Sequence, residues 1–212
     1  MDVLITITNA LKSSGLPGLL ISGIGIAAIV IIIEKYKSLF MKSKLDQGTF
    51  ISKIKDYVYK DEIGKAITFC DANKEMPAAQ VVKAVLERAD RDEASMHHAV
   101  ELTLGDLEPE LFKRMDYLPM LANVSTLVGL LGTIVGLIYS FSALGTVSAE
   151  AKQVALSNGI SMAMSTTAMG LACAIPILLM FSYLNSRFNK LIDQSQHQAS
   201  VVIDVIKSKV FS

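Results

Sequence analysis

The chain has 212 residues, 51% of them hydrophobic, a mean hydropathy of +0.45, and 20 basic side chains against 20 acidic ones. That balance excludes a basic nucleic-acid binder, and no nucleophile stands beside an orienting base in a pattern that would support a hydrolase. The charges are segregated: they fall between Glu34 and Asp116 and after Arg187, apart from two short segments, Met1 to Lys12 and the turn around Glu150 and Lys152.

In chain order, the first element is an alternation of apolar and polar residues around Val3, Leu4, Ile5, Ile7, Ala10 and Leu11, followed by Ser13-Ser14-Gly15-Leu16-Pro17-Gly18. The pattern predicts an interfacial helix on the outer leaflet over residues 1–14, with Gly and Pro making the bend into a first span at 15–36. The start Met1-Asp2-Val3 lacks the basic opening of a signal peptide, and the apolar run sits further in, so the span is expected to be retained.

Residues 37–115 read as a small helical domain. Phe50, Ile51, Ile54, Tyr57 and Val58 recur at helical spacing, as do Ile63, Ala66, Ile67 and Cys70, then Val81, Val82, Val85, Leu86 and Ala89. Breaks are expected at Asp61 and at Asn73 to Pro77, and Pro109 is expected to interrupt the run Glu101–Asp116. The charged segment Glu87 to Glu93 reads as an exposed, salt-bridged helix. His97 and His98 are adjacent, point in different directions on a helix and form no metal pair. Cys70 and Cys173 read as free thiols, and Met164, Met169 and Met180 as packing residues.

Two further spans follow, at 116–145 and 157–186, joined by an outer turn at 146–156 and succeeded by a C-terminal helix at 187–212. A helix over the uncharged stretch Tyr117–Ala149 would be about 50 Å long, against a hydrocarbon core of roughly 30 Å. Protrusion of the second and third helices into the cytoplasm resolves the mismatch. Lys35, Lys37, Lys42, Lys44, Lys113, Arg114, Arg187 and Lys190 crowd one set of span ends, with only Lys12 and Lys152 at the other. That bias puts the N-terminus outside and the C-terminus inside. The expected fold class is an all-α integral membrane protein with three transmembrane helices, long cytoplasmic helix extensions and a small helical cytoplasmic domain.

Chemistry is concentrated in the last two spans. Thr126, Thr133 and Ser140 repeat every seven residues along one stripe, beside Gly129, Gly132 and Gly136. Hydroxyls and small residues at this spacing suit two roles, helix glue and an ion pathway. The third span adds Ser157, Asn158, Ser161, Ser165, Thr166 and Thr167 in its outer half, before an apolar half that contains Gly170 and Pro176. Such clustering suggests a wet face or contact with another polar helix. Neither span carries an acid, so if protons are conducted a partner must supply the titratable group.

Gly129-Leu130-Leu131-Gly132-Thr133-Ile134-Val135-Gly136-Leu137-Ile138 resembles the second-span motif of the MotA/TolQ/ExbB proton-channel family, and the run from Gly159 to Pro176 resembles its third-span motif. The resemblance implies a ring, a homopentamer, around the single transmembrane helices of two copies of a small aspartate-bearing partner of the ExbD/TolR/MotB kind. It also implies an address in the bacterial inner membrane and ion flow converted to mechanical work on the cell envelope. Thr133 and Thr167 match the family's pore threonines, and Thr166, Ser165, Thr126 and Ser140 would extend the polar lining. Gly129, Gly132, Gly136 and Gly170 would pack the helices. Three spans and a modest middle domain are closer to the ExbB/TolQ branch than to MotA. The chain departs from the family pattern at Met162, where a glutamate is usual, and at Thr126, where a proline often stands. No cofactor is expected beyond the transported H⁺ or Na⁺, since rings of hydroxyls and carbonyls also suit a hard cation. Two rivals stay open: a non-conducting membrane scaffold, and a transporter subunit, for which the sequence offers neither internal repeats nor broken helices.

Overall fold

The computed structural model describes residues 15–41, 47–145 and 149–210. Among these residues every regular element is an α-helix: α1 (Gly15–Met41), α2 (Gln47–Tyr59), α3 (Ile63–Ala72), α4 (Pro77–Leu86), α5 (Glu93–Phe112), α6 (Tyr117–Leu144) and α7 (Ala149–Val210). The interfacial helix expected at 1–14 lies outside the described residues, as do 146–148 of the outer turn. α1, α6 and α7 carry the three stretches long and apolar enough to cross a membrane. The chain is therefore an all-α membrane protein. It divides into two compact units, one drawn from Met1–Glu34 and Arg114–Ser182, the other from Lys35–Lys113 and Tyr183–Ser212.

The second unit is an ordinary helical core. Phe50, Ile54 and Val58 of α2, Ala66 and Cys70 of α3, and Val81, Val82 and Val85 of α4 are buried at the three- and four-residue spacings that put them on one face of each helix. Pro77 opens α4 at its first position, where its missing N–H has no helical partner to lose. Asp61 turns the chain between α2 and α3 with φ 62°, a left-handed conformation that short polar side chains tolerate better than most. Lys35, buried at the end of α1, donates from Nζ to the Leu111 carbonyl at 3.1 Å. That carbonyl is in the last turn of α5, where the helix leaves acceptors open and a cation is favoured.

Four features differ from the sequence reading, each for a local reason. α1 continues to Met41, beyond the hydropathic boundary at 36, because Lys35 and Leu39 are both buried there. α5 runs through Pro109 and ends at Phe112; the proline falls so near the end that the last turn closes from Lys113 N–H to the Pro109 carbonyl at 2.9 Å. The break comes at Lys113–Asp116 instead, where Arg114 adopts φ 68°. Glu87 to Asp92 is a turn and not a helix, with Arg88 donating to the Ser95 carbonyl at 3.2 Å. Finally, α7 has no boundary at Arg187: it is one helix of 62 residues. Beyond Arg187 its buried residues, Phe188, Leu191, Ile192, Ser195, Ala199, Val202, Ile203 and Ile206, keep helical spacing and give that half a core-facing stripe.

The far end of α7 is tied within this unit by Lys207 to Glu93 at 2.9 Å and by Lys209 to Asp61. The Lys207 ammonium holds the Glu93 carboxyl below its usual range, and Glu93 in turn raises Lys207. Both partners are substantially exposed, so these pairs orient more than they stabilise. His97 and His98 are solvated, with His97 3.6 Å from Glu93 and His98 3.9 Å from Glu101. No cluster of metal-ligating side chains occurs among the described residues.

Both cysteines are free thiols. Burial between α3 and its neighbours pushes the Cys70 thiol up to about 12. A shift of that size from an ordinary thiol cuts the thiolate fraction at neutral pH on the order of a thousandfold. Cys70 in the folded protein is therefore expected to resist iodoacetamide at pH 8 and to react promptly once the domain is unfolded, as followed by peptide mass spectrometry. Ile54→Ala, which empties a fully buried position, should cost about 2–5 kcal/mol and show as faster Cys70 alkylation; an unchanged rate would contradict the packing described.

Candidate functional site

The first unit is built on a seam where α6 and the N-terminal part of α7 run antiparallel. On α6 the seam positions are Ser125, Gly129, Gly132, Gly136 and Ser140, spaced by three or four residues so that they share one helix face. On α7 they are Gly159, Ala163, Thr166, Thr167 and Gly170. A Cβ placed on Gly129 would stand 3.2 Å from the Gly170 Cα and from the Thr166 carbonyl oxygen. One on Gly170 would meet the Ser125 carbonyl oxygen at 2.8 Å, and one on Gly136 would meet Ala163 Cβ and the Gly159 carbonyl oxygen at 3.1 Å. The two backbones touch. Small residues make that approach possible, and in lipid it supplies the van der Waals contact that drives helices together.

α1 joins this unit further along α7, at Cys173. A Cβ on Gly25 would lie 3.3 Å from the Cys173 Sγ, and that thiol points at the Ile21 carbonyl at 3.8 Å. Ile21 and Ala28 on α1 and Ala174 and Ile177 on α7 are buried. Where the chain enters α6, one Arg114 guanidinium nitrogen reaches both Glu34 carboxylate oxygens, at 2.9 and 2.8 Å. Pro119 sits in the first turn of α6, where no helical bond is lost. Leu127, Leu130, Leu131, Ile134 and Ile138 on α6 face outward, an apolar surface that lipid or further subunits would cover.

The candidate hydroxyls fall into two groups. Ser140 and Thr166 are sealed within the seam, 2% and 0% exposed. Ser140 donates to the Leu156 carbonyl of α7 at 3.1 Å and Thr166 to the Ala163 carbonyl of its own helix at 2.8 Å. Thr166 fills the notch that Gly132 leaves: a Cβ on Gly132 would come within 2.6 Å of the Thr166 Cβ. The others lie on the flank. Thr126 is exposed and donates to the Ala122 carbonyl at 3.1 Å. Thr133 is half-buried and donates to the Leu130 carbonyl at 2.6 Å. Thr167 is half-buried and donates across the seam to the Gly129 carbonyl at 3.1 Å. Ser165 and Met162 are half-buried on α7, and Ser157, Asn158 and Ser161 are exposed.

Thr133 and Thr167 meet through one carbonyl. In an α-helix the Gly129 oxygen accepts the N–H of Thr133, four residues on, and it also accepts the Thr167 hydroxyl on its second lone pair. The seven-residue stripe of Thr126, Thr133 and Ser140 is thus split: Ser140 enters the seam because Gly159 opposite it has no side chain, while Thr126 and Thr133 stay outside. Sequence reasoning missed Ser125, which is fully buried and donates to the Gly170 carbonyl at 3.2 Å, and Gly159. The signal was present, since Ser125, Gly129, Gly132 and Gly136 continue one 4-3-4 spacing of small residues.

Gly170→Ala should break the seam, because its new methyl meets backbone that cannot rotate away; Gly23→Ala, which meets nothing within 4 Å, should be neutral. The check is thermal stability and yield of the detergent-extracted protein, and equal behaviour of the two variants would refute the close approach.

Comparison with known proteins agrees with this geometry. Residues 73–197 match the model of the MotA/TolQ/ExbB proton channel family. A biopolymer transport ExbB homolog of Methanothermobacter thermautotrophicus is 26% identical over 189 residues, 89% of this chain and 66% of the relative, so the chain spans slightly under two thirds of that protein. An ExbB-like protein of Synechocystis is 29% identical over 83% of each chain. TolQ of Haemophilus influenzae is 36% identical over 92 residues, 43% of this chain and 40% of TolQ. The solved structure of C. jejuni MotAB aligns with a TM-score of 0.60 at 19% identity, covering 93% of this chain and 78% of that one, a likeness of fold. A family match across more than half the chain, falling on the helices that form the glycine seam, identifies it as a member of the MotA/TolQ/ExbB proton channel family.

Proposed function

We propose that the chain is the ring-forming subunit of an ion-driven motor in a bacterial inner membrane, with its N-terminus outside and its C-terminus in the cytoplasm. The observation that carries this reading is the pair Thr133 and Thr167, both half-buried on the flank of a seam whose helices hold no carboxylate, amine or imidazole between Tyr117 and Leu144 or between Gln153 and Ser186. A conducting unit needs a group that binds and releases its ion. Here that group comes from a partner: a small single-span chain bearing a membrane aspartate, of the ExbD/TolR/MotB kind, in two copies within a pentamer. The C. jejuni structure similar in fold is itself a MotAB complex.

In this reading the hydroxyls on the flank do the handling. Thr133 and Thr167 hydrate the ion or pass it to the partner carboxylate, and Thr126 and Ser165 extend the polar lining. Ser140 and Thr166 serve the same pathway from inside its wall, holding the two helices together. Met162 supplies no carboxylate, so the proton's exit does not pass through an acid on this helix. Hydroxyl and carbonyl oxygens also suit Na⁺, and replacing Na⁺ by K⁺ at fixed pH separates the two couplings.

Native mass spectrometry of the complex captured from its own membranes should give five copies of this chain with two of an aspartate-bearing partner. Another stoichiometry without such a partner would favour a scaffold. Thr133→Val and Thr167→Val should each assemble normally and lose ion-driven flux in proteoliposomes, because valine keeps the shape and removes the donor; full flux in both would sink the assignment. Liposomes that hold this chain without its partner should leak few ions, and a large proton flux through them would contradict the need for a partner acid.

A further inference from the structure

The Thr166 knob in the Gly132 notch and Ser140 against Gly159 limit how far α7 can slide along α6. The pathway hydroxyls need a finer setting of height, because a hydrogen bond at 3.1 Å is lost well within one residue's rise of about 1.5 Å. A buried hydrogen bond beside them supplies it.

We infer that Ser125 is a positioning residue that fixes the height of α7 on α6 and so delivers the Thr167 hydroxyl to the Gly129 carbonyl beside Thr133. The inference rests on the ion-pathway reading above for its functional consequence. Ser125 is fully buried and donates to the Gly170 carbonyl at 3.2 Å. From there, Gly129 lies four residues further along α6, about 6 Å of rise, and Thr167 lies three residues back along α7, about 4.5 Å. The helices are antiparallel, so both displacements run the same way and nearly match. The Ser125–Gly170 and Thr167–Gly129 bonds therefore close together or open together.

The chemistry of the two acceptors is shared. Both carbonyls belong to glycines, and each also takes a helical N–H from the residue four further on. A hydroxyl from the opposite helix reaches the second lone pair because no Cβ stands in the way. Ser140, donating to the Leu156 carbonyl at 3.1 Å, holds the other end of the seam. It sits 15 residues from Ser125, towards the opposite end of the contact. Ser125 is the near pin. Unlike Thr126 and Thr133, which donate within their own helix, its hydroxyl takes the carbonyl across the seam.

The test uses the full complex captured from its own membranes and reads two quantities. Ser125→Ala and Thr167→Val are each expected to lower the midpoint of thermal unfolding of the complex, and the double variant to lower it no further than the larger single shift, because the two bonds open together. In proteoliposomes of the same complex, S125A is expected to raise the ion concentration for half-maximal flux about threefold, the size of one interhelical hydrogen bond in a membrane, with the maximal flux per complex unchanged. Should S125A fail to assemble, S125C gives the flux reading, since it keeps the volume and only a weak donor.

Additive shifts of S125A and T167V overturn the register role, whatever the flux does. A loss of yield with an unchanged half-saturating concentration assigns Ser125 to folding alone and overturns the positioning role. The two readings fail separately: full flux in T133V and T167V removes the ion pathway, while non-additive shifts of S125A and T167V still establish the pin.

Discussion

The backbones of α6 and α7 meet at Gly129 and Gly170, and the rest of the membrane unit depends on that contact. In lipid there is no hydrophobic gain from pairing two apolar helices, because lipid tails are as apolar as leucine. What remains is van der Waals contact and hydrogen bonding, and both demand close approach. Gly129, Gly132, Gly136, Gly159 and Gly170 provide it by having no Cβ where one would collide. Thr166 becomes buried as the knob that fits beside Gly132, and Ser125 and Ser140 become buried because the carbonyls opposite are within reach of their hydroxyls.

Close approach also sorts the hydroxyls. A hydroxyl in a dry environment must donate somewhere. Thr126 and Thr133 donate to carbonyls of their own helix, a choice that needs no partner helix and leaves the side chain on the flank. Thr167 donates across to Gly129, which makes its position a property of the pair of helices. The distinction matters for any pathway along this flank: a threonine bonded within its own turn keeps its place if the helices shift, and one bonded across the seam does not.

The other unit is held by different forces. Its core is aliphatic and aromatic, with Phe50 stacked on Phe69 at 5.6 Å and Phe112 against Phe188 at 5.1 Å, and its periphery carries ion pairs screened by water. α7 belongs to both regimes. Its N-terminal part presents small residues to a glycine seam, whereas beyond Arg187 it presents a stripe of larger apolar residues to the core of the second unit. A single helix can serve both because helix propagation depends on backbone bonds alone, while the face it buries is set residue by residue.

Much of this was legible in the chain. Helical periodicity and the uncharged runs were enough for an all-α membrane fold, because spacing and charge are local properties, and the family was legible as a resemblance of the two glycine motifs. The turns at Asp61 and before Pro77 were legible for the same reason. Three things were not. Charge marked Arg187 as a boundary, though hydropathy changes there without any break in the backbone. Pro109 read as a break, but a proline close to a helix end has little left to disrupt. Ser125 attracted no notice, since nothing in one helix says that a carbonyl of another will face it.

The sequence by itself determined which residues could lie along each helix face, and that no side-chain acid stands in the two polar spans. Only the tertiary structure decided which hydroxyls are sealed in the seam and which stay on its flank. That outcome depends on the rotation and height of α7 against α6, and these follow from contacts between residues about 15 to 45 positions apart, such as Ser140 with Leu156 and Ser125 with Gly170, which no periodicity within one helix encodes.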